Sequence, residues 1–120
     1  MGQRPVVLVV QQDHTLRALI RRAVEAEGYA AMEARTAMEA LTARDRSSAA
    51  VDLVITDLTQ PGLAGPLGLR ERLGRRTKFL YLLMYTTESL VPEEDLTFFL
   101  QNPFRGRALE EKLRQILSRH

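Results

Sequence analysis

Asp52-Leu53-Val54-Ile55-Thr56-Asp57 runs directly into a turn-forming stretch, Gln60-Pro61-Gly62-Leu63-Ala64-Gly65, and this junction decides the fold. A short apolar run closed by turn residues reads as a strand buried on both faces. A carboxylate at the end of such a strand, facing a loop, stands where open α/β sheets place their chemistry. Asp57 is therefore the first candidate functional residue.

Upstream, Val6 to Val10 is a second continuous β-branched run after Pro5. From Thr15 the period changes to helical, with Leu16, Leu19, Ile20, Ala23 and Val24 on one stripe and Arg17, Arg21, Arg22 and Glu25 outside it. Gly28 stands where a helix C-terminal cap belongs. Tyr29 to Ala34 reads as a short strand, and Thr36 as the N-cap of a helix reaching Arg44. Polar residues Asp45 to Ser48 lead into the strand at Val51 to Thr56. Downstream, Pro66 to Leu73 is a short helix opened by its proline. Lys78 to Met84 is a further apolar strand. Thr86 to Leu96 is interrupted by Pro92 and allows at most one or two helical turns. Thr97 to Gln101 completes the strands, and Ala108 to Leu117 repeats apolar residues at helical spacing.

Five strands alternating with helices imply right-handed crossovers and a parallel sheet covered on both faces. The expectation is an α/β, flavodoxin-like (βα)5 doubly wound sheet of strand order 2-1-3-4-5, its fourth helix shortened. Its site lies at the carboxyl ends of strands one and three, where Gln11-Gln12-Asp13 meets Asp57.

A length of 120 residues suits one domain, spanning 1–120. With 45% hydrophobic and 27% charged residues, the composition is that of a globular protein, not a disordered or fibrous one. The absence of cysteine excludes thiol chemistry and disulfides. No apolar run approaches the ~18 residues that cross a bilayer, and no signal-peptide pattern opens the chain, so the expected location is cytoplasmic. Val6 stands where a myristoylation motif requires Ser or Thr. Seventeen basic against fifteen acidic residues leave a net charge of +2, too balanced to argue for nucleic acid. The arginines at 21–22 and 70–76 read as solvated helix surfaces.

Taken in order, several segments resemble the receiver domains of two-component response regulators. They are Val7-Leu8-Val9-Val10, Gly28-Tyr29, Glu39-Ala40-Leu41, Asp52 to Asp57, Pro61-Gly62 to Gly65-Pro66, and Phe99-Leu100-Gln101-Asn102-Pro103-Phe104. Lys78-Phe79-Leu80-Tyr81 and Tyr85-Thr86 look especially like receivers attached to hybrid sensor histidine kinases. The resemblance implies that Asp57 stands at the position that accepts a phosphoryl group from a histidine kinase, with help from Mg²⁺, a lysine and a Ser or Thr.

The remaining pocket positions depart from that pattern. Gln11 and Gln12 replace the acidic pair that holds the metal, Leu83 the hydroxyl residue, and Asn102 the lysine. Phe99 keeps the aromatic without its hydroxyl, and Met84 stands where Gly or Ala is usual. Mg²⁺ draws much of its binding from anionic oxygens, and neutral amides do not supply them. Asp13 is either a displaced ligand or an acid at a helix start. His14 beside it reads as an exposed loop residue in preference to a ligand or base.

Two roles for Asp57 follow. In the first, the amides of Gln11, Gln12 or Asn102 donate to its carboxylate, no cofactor is bound, and the domain acts through phosphorylation-independent protein contacts, without enzymatic activity. In the second it remains a working phosphoacceptor, with a weak Mg²⁺ drawn to Asp13, Asp57 and Thr59. The resemblance implies a histidine kinase or other signalling protein as partner. It also implies a homodimer through the face of the fourth helix, fifth strand and fifth helix, where Leu90 and Val91 either dock a partner or cap the core. Neither membrane nor nucleic acid is expected to bind directly.

Overall fold

Val7, Leu8, Val9 and Val10 are all fully buried, as are Leu53, Val54 and Ile55, because both runs lie inside a sheet covered on its two faces. The computed structural model describes residues 4–57, 68–74, 76–83, 96–101 and 103–118. Along the chain these form β1 (Val6–Val10), α1 (His14–Ala26), β2 (Ala30–Ala34), α2 (Ala37–Arg46) and β3 (Leu53–Asp57). There follow α3 (Gly68–Leu73), β4 (Lys78–Leu83), β5 (Thr97–Gln101) and α4 (Gly106–Leu117).

The five strands are all parallel, in the order β2-β1-β3-β4-β5. Strand alternation divides the core into two layers. Val7, Val9, Leu53 and Ile55 pack with Ile20 and Val24 of α1 and Leu109, Leu113 and Ile116 of α4. On the opposite face Leu8, Val10, Val54 and Tyr81 pack with Ala40 and Leu41 of α2 and Leu69 of α3. This is the doubly wound flavodoxin-like arrangement. β1 pairs with both β2 and β3, so the chain reverses its direction of winding at the carboxyl ends of β1 and β3.

Local chemistry sets the element ends. Asp13 caps α1 by accepting from the backbone N–H of Leu16 at 2.8 Å, and Thr36 caps α2 by accepting from that of Glu39 at 3.1 Å. Gly28, with φ +85°, takes the left-handed conformation that ends α1.

Several boundaries differ from those expected. β3 begins at Leu53 and includes Asp57, because Asp52 is held to Val6 at the sheet entrance. Its backbone N–H donates to the Val6 carbonyl and its carboxylate accepts from the Val6 N–H, each at 2.8 Å. α2 runs on to Arg46, its last turn carrying Arg44 and Arg46, cations suited to a helix C-terminus. α4 starts at Gly106, two residues ahead of the expected Ala108. Leu19 is 40% exposed despite its place on the α1 stripe, because it lies on the flank of α1 that opens toward α4. The expected short fourth helix, with Leu90 and Val91, lies outside the described residues, as do Pro66 and Met84.

Candidate functional site

The side chain of Gln11 is the centre of the site. Gln11 follows β1, and its backbone N–H still donates to the Ala34 carbonyl at 3.0 Å, so the chain remains tied to β2 beyond the last β1 residue. Its side chain is buried at 4% exposure, next to Asp57 at 6%. Gln11 Nε2 donates to Asp57 Oδ2 at 2.9 Å, and Gln11 Oε1 accepts from the backbone N–H of Asp13 at 3.1 Å. The amide is thus oriented at both ends: its oxygen faces a donor and its nitrogen faces the carboxylate. A hydrogen bond to an ionised acceptor contributes about 1.5–3 kcal/mol, toward the upper end where water is excluded.

The neighbouring positions take separate roles. Gln12 is exposed and makes no hydrogen bond to Asp57. The Asp13 carboxylate is engaged with Leu16, so of the two readings of Asp13 the structure gives the helix cap. Leu83 is buried at the end of β4, its carbonyl accepting from Gln101 Nε2 at 3.0 Å. Phe99 is half-buried on β5 and stacks on Tyr81, with ring centroids 6.2 Å apart; Tyr81 stacks in turn on Phe79 at 5.6 Å. Thr59, Met84 and Asn102 lie outside the described residues.

The described residues of the site do not fit a Mg²⁺ ion. At the position of the first metal carboxylate stands an amide whose N–H points at the very oxygen a cation would neutralise. Asp13 has turned its carboxylate to a backbone N–H. Octahedral oxygen coordination built on anionic ligands has no counterpart in that geometry. Among the described residues no group of three acidic, histidine or cysteine side chains converges on a metal-sized site.

Arg17 is the residue that sequence reasoning missed. Placed by its spacing outside the apolar stripe of α1, it is nevertheless only 12% exposed in its side chain. Its guanidinium donates to the Gln11 carbonyl at 3.0 Å, pairs with Glu33 of β2 at 3.2 Å and lies 3.1 Å from His14 Nδ1. Arg21 reaches the second Glu33 oxygen at 3.2 Å. A lone acid in an otherwise small apolar strand, Ala30-Ala31-Met32-Glu33-Ala34, was the available signal. His14 is exposed, as expected, and is the first residue of α1 rather than of a loop. Arg70 also departs from the solvated reading: it is buried at 8% exposure, its guanidinium 5.2 Å from the centroid of the Phe79 ring.

Comparison with known proteins agrees with this architecture. A family model for the response regulator receiver domain matches residues 7–114. The chain is 29% identical over 120 residues to the sensor kinase CckA of Brucella abortus (strain 2308), covering 94% of this chain but only 12% of that protein. Among solved structures, a receiver domain from the hybrid histidine kinase CckA superposes with a TM-score of 0.73 at 26% identity, over 94% of this chain and 99% of that one. A response regulator from Thermotoga maritima superposes with a TM-score of 0.77 at 27% identity, over 97% and 99%. Among the described residues no helix is long and apolar enough to cross a membrane.

Proposed function

Because this chain belongs to the response regulator receiver domain family, we propose that it serves two-component signalling as an atypical receiver, acting by protein contacts that do not require phosphorylation of Asp57. The observation that carries the proposal is the buried hydrogen bond from Gln11 Nε2 to Asp57 Oδ2. Phosphoryl transfer to a carboxylate needs that oxygen accessible in line, and compensation for the negative charge that gathers on the transferred group. Here the oxygen is occupied by a neutral donor, and the apolar Leu83 stands where the family pattern calls for a hydroxyl. In this reading the domain is a binding module, not an enzyme, and its aspartate is a structural anchor.

The partner in this reading is a histidine kinase or another signalling protein, and the setting is cytoplasmic. The chain spans about an eighth of the curated relative it matches, so attachment to a hybrid kinase is part of the proposal.

The test is incubation of folded protein with a small phosphodonor and excess Mg²⁺, followed by intact-mass measurement. The expected result is no phosphoryl adduct, together with partner binding that Asp57→Asn leaves unchanged. A Mg²⁺-dependent adduct that Asp57→Asn removes would instead make Asp57 a working phosphoacceptor and overturn the proposal.

A further inference from the structure

We draw no further inference here: the strongest candidate, a polar cleft of about 260 Å³ at the amino ends of β1, β3 and β4 lined by Pro5, Asp52, Arg76, Lys78 and Leu117, carries nothing, because its Asp52 carboxylate and Lys78 ammonium are already bonded to the Val6 N–H and the Ile116 carbonyl and nothing in the structure shows what would fill it.

Discussion

Gln11 and Asp57 are 46 residues apart, the same offset that separates Val7 from Leu53 and Val9 from Ile55 in the pairing of β1 with β3. Their hydrogen bond is therefore the next same-face rung of the β1–β3 register, carried one step past the end of β1. Whatever side chain stands at position 11 is delivered beside Asp57 by the sheet itself. The identity of that residue alone decides whether the rung attracts or repels.

Gln11→Glu turns the rung repulsive. Two unit charges at 4 Å interact by on the order of 4 kcal/mol at an effective dielectric of 20. Partial relaxation should leave a loss of roughly 2 kcal/mol, or about 10 °C in melting temperature in a metal-free buffer at neutral pH. A divalent cation between the two carboxylates relieves the repulsion, so millimolar Mg²⁺ should raise the variant's melting temperature while leaving wild type unmoved. Equal melting curves for variant and wild type without metal would show that residue 11 does not touch Asp57 in solution.

Arg17 should matter far more than its neighbour Arg21. Arg17→Met keeps the apolar stem but removes bonds to the Gln11 carbonyl and to Glu33 from a side chain only 12% exposed, a loss of roughly 2 kcal/mol. Arg21 is about one-third exposed and pairs with two exposed acids, so Arg21→Met should cost at most about 1 kcal/mol. Urea melts of the two variants give the comparison. The Gln11 side-chain amide resonance should shift in Arg17→Met only, since Arg17 fixes the backbone from which that amide projects.

The parts of this fold legible in the sequence are those written in continuous apolar runs. β1, β3 and β4 announce themselves because a strand buried on both faces cannot alternate, and their order follows from the helices between them. The place of Asp57 and Gln11 was equally readable, since both follow such runs; of the three amides expected to donate to Asp57, Gln11 does so and Gln12 does not. The roles of Arg17 and Arg70 were not readable. Whether an arginine on a helix meets water, a carboxylate or a ring depends on which strand lies beneath it. Glu33 and Phe79 are distant in sequence from the arginines they meet. The first two residues of α4, Gly106 and Arg107, were hidden for another reason: neither is a buried apolar residue that would mark a helical period.

Lys78 joins the start of β4 to the end of α4. Its ammonium donates to the Ile116 carbonyl at 2.9 Å, one of the carbonyls a helix C-terminus leaves without an intrahelical partner. Lys78→Met should cost about 1 kcal/mol, combining the lost hydrogen bond with the favourable placement of a cation at the negative end of α4. Amide hydrogen exchange should accelerate in the last turn of α4 and stay unchanged in α2. Uniform acceleration of both helices would mean that global stability, rather than this contact, had changed.

Glu39 gives the molecule a defined acid sensitivity. Its carboxylate accepts from the backbone N–H of Arg35 at 2.9 Å and from the Arg35 guanidinium at 3.0 Å, while its own N–H donates to the N-cap Thr36. The backbone hydrogen bond first, and then the side-chain one, hold the Glu39 carboxyl below its ordinary value of 4.5. A carboxyl whose folded pKa is depressed adds stability above the unfolded value and loses it as pH falls through the folded one. The melting-temperature difference between wild type and Glu39→Gln should therefore be constant from pH 7 down to about 5 and shrink below 4.5. Thr36→Ala removes only the uncharged half of the cap and should cost about 1 kcal/mol at every pH. A difference for Glu39→Gln that stays flat from pH 6 to 3 would mean that the Arg35–Glu39 contact is absent in solution.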